Sequence, residues 1–157
     1  MHSPRTSSLL GLTVCFAALS LTQTAAAQNT GQQIVRVSTV PELRQAAASA
    51  QPGTRIELAP GEYRGGVYLE RLQGAAGKPI VIAGADPQRP PRFVGSGTAF
   101  QLSDPRFVEL EDISVSGASD NGFNVDDGGR YSPEDRGLVF RRLHVANIGP
   151  SGNHDGM

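Results

Sequence analysis

Tryptophan, cysteine and lysine are nearly absent from this 157-residue sequence, and the shortages narrow the classes of protein it can belong to. There is no tryptophan, one cysteine (Cys15) and one lysine (Lys78). A lone cysteine excludes a disulfide framework. The formal net charge of −1 offers no basic surface, so nucleic acid and anionic membranes are not expected partners. No apolar run reaches the roughly 20 residues of a transmembrane helix, which excludes a multi-spanning membrane protein.

The N-terminal segment has the features of a cleavable export signal. Arg5 precedes an uncharged run of 13 residues, Leu9–Leu21, and small residues follow up to Ala27. This order predicts a signal peptide over residues 1–27 and a secreted or periplasmic protein with no membrane association after cleavage. An uncleaved helical anchor is the alternative, but the apolar run is short for that purpose. Cleavage would also remove Cys15, so the mature chain would have no thiol.

One short helix is predicted after an N-terminal linker and first strand at residues 28–38. Thr39 can accept a hydrogen bond from the amide of Glu42 while the Glu42 side chain reaches back, which is the pattern of a capping box. Pro41 falls in the first turn, where its missing N–H costs nothing. The apolar residues that follow have helical spacing and form one narrow stripe: Leu43, Ala46, Ala47 and Ala50. The sequence therefore predicts a short amphipathic capping helix at residues 39–51.

The remaining sequence alternates short runs of branched residues with turns, and its segments repeat. The 19 glycines and 11 prolines favour frequent corners over long helices. Segment 107–115 aligns with segment 137–145 at an offset of 30, and segment 100–102 aligns with segment 123–125 at an offset of 23. The apolar pairs at the offset of 30 are Val108 with Leu138, Leu110 with Phe140, Ile113 with Leu143, and Val115 with Val145.

Equal residue types at fixed offsets are expected when a chain winds into stacked coils, because inward side chains of successive coils then lie on one another. In the same alignment Arg141-Arg142 fall on Glu111-Asp112, which predicts ladders of opposite charge. The predicted fold is all-β, a right-handed parallel β-helix of about three coils over residues 54–157, with the helix across its N-terminal end. An antiparallel β-sandwich is the alternative, although its strands would not need to align by type.

Three segments resemble the opening coils of a known group of secreted proteins. They are Thr39–Leu43, Pro52–Tyr63 and Gly77–Ile82. They are similar to the N-terminal coils of the chondroitinase B and alginate lyase group, within the pectate-lyase-like superfamily of right-handed parallel β-helices. The resemblance implies the N-terminal part of an exported acidic-polysaccharide lyase, with polysaccharide as partner and with catalytic residues downstream. Because these motifs specify architecture, a non-catalytic β-helix module for surface binding or adhesion is the alternative.

Two polar clusters are candidate ligand sites. Asp126 and Asp127 follow a predicted strand, and carboxylates at a corner can hold calcium through oxygen ligands, although an acidic surface turn explains the same residues without an ion. His154 and Asp155 combine an imidazole with a carboxylate and are candidates for substrate binding, although turn geometry also accounts for them. No residue is assigned a catalytic role, because Lys78 lies in a turn of the first coil, where an ordinary solvated side chain is expected.

The sequence ends within a predicted strand, at Met157, without a closing helix. Solenoids need several repeats and a capped end. We therefore expect an N-terminal fragment of a longer protein, whose uncapped C-terminal strand edge favours self-association. A fragment of about three coils is not expected to cleave polysaccharide by itself, because proton abstraction from a uronate needs a positioned base and a means of neutralising charge.

Overall fold

The computed structural model describes residues 32–95, 97–129 and 136–149. The predicted signal peptide and Met157 lie outside these residues. Within them the chain is mostly β structure with a single short helix. In chain order the elements are β1 (Ile34–Val37), α1 (Val40–Ser49), β2 (Arg55–Leu58), β3 (Glu62–Arg64), β4 (Val67–Glu70), β5 (Ile80–Gly84), β6 (Arg92–Val94), β7 (Phe100–Ser103), β8 (Val108–Glu111), β9 (Ser114–Ser116), β10 (Phe123–Asp126), β11 (Val139–Arg141) and β12 (His144–Ala146).

The strands form three sheets in which every strand pairing is parallel. Sheet A has the order β1-β2-β5-β8-β11, sheet B has the order β12-β9-β6-β3, and sheet C has the order β10-β7-β4. From β2 onward, consecutive strands belong to sheets A, B and C in turn, and this cycle repeats. Each strand therefore pairs with strands one cycle away, and the parallel pairing shows that an antiparallel sandwich is wrong.

The pairing register confirms both offsets found in the sequence. Phe140 of β11 pairs with Leu110 of β8 at the offset of 30, and β12 pairs with β9 at the same offset. Phe123 of β10 pairs with Phe100 of β7 at the offset of 23. Inward-facing apolar residues such as Leu110 and Phe140, or Phe100 and Phe123, therefore lie above one another, and the difference between the offsets is absorbed in the corners between strands.

Aromatic side chains form a continuous row inside the three sheets. The rings of Tyr63 and Phe93 are stacked with centroids 4.9 Å apart, Phe93 meets Phe100 edge to face at 5.1 Å, and Phe100 lies 5.5 Å from Phe123. All four rings are buried. The Tyr63 hydroxyl lies 3.0 Å from the carbonyl oxygen of Ala59, and burial raises the pKa of this phenol to about 12. The row joins sheets B and C through direct ring contacts.

Helix α1 begins with the reciprocal pattern of a capping box, although Glu42 reaches back to Ser38, one residue before the N-cap Thr39. The amide of Glu42 donates to the Thr39 hydroxyl at 3.3 Å, and the Glu42 carboxylate accepts from the amide of Ser38 at 2.7 Å. The hydrogen bond from Ser38 also holds the pKa of Glu42 below its ordinary value. The buried face of the helix packs against β1, β2 and β4. Among the described residues, no helix has the length and apolar character needed to cross a bilayer.

Oppositely charged residues pair along sheet A and at the positions directly after β8 and β11, as the alignment predicts. Arg141 lies 3.5 Å from Glu111, and the Arg142 guanidinium donates to both carboxylate oxygens of Asp112. That hydrogen bond holds the pKa of Asp112 below its ordinary value. Arg55 reaches across β5 to place its guanidinium 3.4 Å from Glu111. These ion pairs connect strands that are far apart in the sequence.

The corner that follows each sheet B strand uses a left-handed backbone residue. Gly65, Gly95, Gly117 and Asn147 come directly after β3, β6, β9 and β12, with φ of +83°, +75°, +70° and +56°. Glycine and asparagine tolerate this conformation better than residues with larger side chains. The chain therefore leaves sheet B in the same way in four successive cycles.

Candidate functional site

The outer surface of sheet C carries two rows of polar side chains, which we call the sheet C face. Its residues are Tyr68, Gln101 and Asn124 in one row, and Glu70, Ser103 and Asp126 in the other. Within each row the members are direct register partners on β4, β7 and β10. Neighbouring strands in a sheet lie about 4.8 Å apart, so each row presents a polar group at that interval.

These side chains face outward because the strands of sheet C alternate. Val67, Leu69, Phe100 and Leu102 are buried between them, as expected for a strand with one side on the core. Tyr68 is therefore held on the outside, where its side chain is 48% exposed. An exposed tyrosine combines an apolar ring with a polar tip, which is a common arrangement at binding surfaces. The ring is fixed on a rigid strand rather than on a loop.

Asp126 organises the polar groups beside Tyr68. Its carboxylate accepts hydrogen bonds from the Ser103 hydroxyl at 2.6 Å, the Gln101 side-chain amide at 2.8 Å and the backbone amide of Gly128 at 2.8 Å. The bond from Ser103, with those from Gln101 and Gly128, holds the pKa of Asp126 below its ordinary value. Asp126 is therefore ionised at neutral pH, and it orients the Gln101 amide.

Salt bridges pair two other acids around the sheet C face with arginine side chains. The Glu70 carboxylate lies 2.7 Å from the Arg71 guanidinium, and the Asp104 carboxylate lies 2.7 Å from that of Arg136. In contrast, the hydrogen bonds that Asp126 accepts from described residues come from uncharged donors. A polar cleft of about 120 Å³ opens at this place, and it is lined by Tyr68, Glu70, Arg71, Ser103, Asp104 and Gly128.

The structure places the two predicted calcium ligands at the end of β10, each with its own backbone partner. Asp126 accepts from the amide of Gly128, and Asp127 accepts from the amide of Gly129 at 2.9 Å. Protein calcium sites take about 6 to 8 oxygen ligands. In the part of the chain that the structure describes, no three histidine, cysteine, aspartate or glutamate side chains are grouped to hold a metal ion. The calcium site stays a prediction.

The two predicted substrate-binding residues, His154 and Asp155, lie outside the described residues. Lys78 is exposed in the turn before β5, where its backbone amide donates to the carbonyl oxygen of Ala75 at 2.8 Å. This placement agrees with the ordinary solvated side chain that the sequence predicts.

Sequence reasoning missed five residues of the sheet C face, namely Tyr68, Glu70, Gln101, Ser103 and Asn124. The signal was present for three of them, because the offset of 23 that aligns β7 with β10 also pairs Gln101 with Asn124 and Ser103 with Asp126. Tyr68 and Glu70 were harder to find, since β4 and β7 pair at an offset of 33. The corners between β4 and β7 contain more residues than those between β7 and β10, so no single repeat length connects all three strands.

Comparison with known proteins gives one structural likeness. No protein-family model matches the sequence. No curated protein is significantly similar to it. An alginate lyase from Paenibacillus sp. str. FPU-7 matches the backbone with a TM-score of 0.45 and 17% sequence identity. The match covers 73% of this chain and 45% of that enzyme, so this chain spans less than half of the enzyme's length.

Proposed function

We propose that this chain forms the N-terminal coils of an exported right-handed parallel β-helix protein, and that its sheet C face binds polysaccharide. The cyclic order of the three parallel sheets and the equal residue types along each sheet support the β-helix. The sequence features of residues 1–27 support export. The observation that carries the binding function is the exposed Tyr68 ring beside a row of amide side chains.

The chemistry of the sheet C face suits a sugar polymer. A pyranose ring has an apolar C–H surface that can pack on the exposed ring of Tyr68. Its hydroxyl groups both donate and accept hydrogen bonds, and the amides of Gln101 and Asn124 offer both functions in return. Because the row from Tyr68 through Gln101 to Asn124 continues across β4, β7 and β10, an extended ligand can contact polar groups on successive strands. An extended polysaccharide is therefore a better fit than a small compact ligand.

We further propose that the complete protein is an acidic-polysaccharide lyase whose catalytic residues lie outside the described residues. The resemblance of residues 39–43, 52–63 and 77–82 to the opening coils of secreted lyases supports this activity. Removal of the proton beside a uronate carboxylate requires a base and a group that stabilises the developing negative charge. The sheet C face, with neither histidine nor lysine, supplies binding rather than this chemistry. The same observation favours a non-catalytic binding module as the second candidate.

Binding assays on a Tyr68 variant test the polysaccharide proposal. Titration calorimetry of the mature protein with alginate, chondroitin and pectate should detect binding, and Tyr68→Ala should weaken it about tenfold, or about 1.4 kcal/mol. Ile34→Ala is the matched control, because Ile34 is also 48% exposed but lies on β1. Equal affinity of Tyr68→Ala and the parent protein would contradict the proposed binding surface.

Enzyme assays on the 157-residue chain separate binding from catalysis. The ultraviolet absorbance of the unsaturated product should stay at baseline with each polysaccharide, with or without calcium, because we propose that the catalytic residues lie outside the described residues. Product formation that depends on calcium, and that is lost in a variant with Asp126→Ala and Asp127→Ala, would assign a metal-assisted catalytic role to that corner.

A further inference from the structure

We propose that the sheet C face binds an uncharged sugar unit over Tyr68 and discriminates against a unit that carries a carboxylate. This inference rests on the proposed polysaccharide function and specifies which kind of sugar the site accepts. Two independent features support it, namely the local balance of charge and the orientation of the Gln101 amide.

The balance of the described charges around Asp126 is negative. The carboxylates of Glu70 and Asp104 each lie 2.7 Å from a guanidinium group, whereas the described donors to the Asp126 carboxylate are uncharged. Gln101 links the two parts of the site, since it is the register partner of Tyr68 and donates to Asp126 at 2.8 Å. A sugar that packs on Tyr68 and contacts Gln101 therefore lies close to an uncompensated negative charge. A carboxylate on that sugar would be repelled.

The hydrogen bond between Gln101 and Asp126 also determines which hydrogen-bonding groups of Gln101 remain for a ligand. Gln101 donates one of its two side-chain N–H groups to Asp126, so its carbonyl oxygen and its second N–H remain for a ligand. A sugar hydroxyl can donate to that oxygen, but an ionised carboxylate has no proton to donate. Arg71 does not reverse this preference, because its guanidinium is already 2.7 Å from the Glu70 carboxylate.

This preference narrows the class of polysaccharide. A polymer with a carboxylate on every sugar would place a negative charge over Tyr68 in any register. A polymer in which uncharged sugars alternate with acidic ones can place an uncharged unit there and keep its acidic units on other coils. An acidic substrate of the complete protein is therefore expected to be a mixed polymer rather than a homopolymer of uronate.

Matched pairs of polysaccharides test this inference on the unaltered protein. Alginate, chondroitin and pectate are each compared with the carboxyl-reduced form, which keeps the linkages and removes the charge. For alginate and pectate, in which every sugar is a uronate, we expect the carboxyl-reduced form to bind about tenfold more tightly than the charged form at low ionic strength. Raising the salt concentration to about 0.15 M should narrow that difference by strengthening binding of the charged form, because salt screens repulsion between exposed charges.

Variants separate this inference from the proposed function. Asp126→Asn should reduce the preference for the carboxyl-reduced polymers to less than about threefold, whereas Asp86→Asn, which removes a carboxylate from the turn after β5, should leave it unchanged. Equal or tighter binding of charged alginate and pectate by the parent protein would overturn the uncharged subsite and leave polysaccharide binding intact. Affinity for every polymer that is unchanged in Tyr68→Ala would overturn both proposals. The salt dependence needs no variant, so it decides the question even if Asp126→Asn does not fold.

Discussion

Replacement of Phe100 by alanine is the most direct test of the internal aromatic row. The Phe100 side chain is fully buried, and its ring contacts Phe93 at 5.1 Å and Phe123 at 5.5 Å. The ring therefore fills the space between a sheet B strand and the next strand of its own sheet. Its removal leaves a cavity and ends both ring contacts at once.

The size of the effect follows from the burial and the ring contacts of Phe100. Truncation of a buried phenylalanine to alanine costs about 3 to 5 kcal/mol. The total free energy of unfolding of a domain is about 5 to 15 kcal/mol, so this change removes a large share of it. For a chain of this size, about 4 °C of melting temperature is lost per kcal/mol, which predicts a decrease of about 12 to 20 °C. Phe100→Leu keeps much of the volume but loses the ring contacts, which predicts a loss of about 1 to 2 kcal/mol.

Urea unfolding followed by circular dichroism measures these differences. Tyr68→Ala is the matched control, since it truncates an aromatic residue on the paired strand that faces outward and is 48% exposed. We expect the control to change the free energy of unfolding by less than about 1 kcal/mol. An unfolding midpoint for Phe100→Ala equal to that of the parent, with an unchanged slope, would refute the inward orientation of β7 and the register that places Phe100 on Phe123.

Three further predictions concern acid stability, backbone packing and processing. The bond from Arg142 lowers the pKa of Asp112, so this pair stabilises the fold above the ordinary aspartate pKa of about 3.9 and its contribution is lost as the pH falls through the lowered value. The urea midpoint should therefore fall less between pH 7 and pH 3 in Asp112→Asn than in the parent, and equal falls would contradict the role of the pair. Gly84→Ala should cost about 1 to 3 kcal/mol in urea unfolding, because a Cβ there would lie 2.5 Å from a backbone oxygen, while Gly97→Ala, with open space, should be neutral. Mass spectrometry of the exported protein should show cleavage after Ala27, and an intact N-terminus would contradict the predicted signal peptide.

The register of the later strands could be predicted because apolar residues repeat there at constant offsets. Leu110 and Phe140 are both apolar and both precede a basic or acidic pair, so the offset of 30 stands out in the sequence. The same offset then predicts that the oppositely charged Asp112 and Arg142 are paired, as they are in the structure. The capping box was predictable for a different reason, since all of its hydrogen bonds are local.

The candidate site could not be predicted to the same extent, because its contacts are diagonal. Gln101 is the register partner of Asn124, yet its side chain donates to Asp126, two residues further along β10. Side-chain length and rotamer decide such a contact, and a repeat pattern contains neither. The sequence also suggests that Asp126 and Asp127 act as a pair, whereas the structure gives each carboxylate a separate turn amide.

The pairing of each strand only with strands one cycle away determines how the chain would respond to mechanical force. Tension between β1 and β11 would act along the direction of the inter-strand hydrogen bonds, since these strands are the two edges of sheet A. Bonds loaded in this direction open one strand at a time instead of sharing the load. Release of the cycle from β8 to β11, 30 residues in length, would lengthen the chain by about 100 Å. Under tension the chain would therefore extend in discrete steps, one cycle per step, while the remaining cycles keep their pairing.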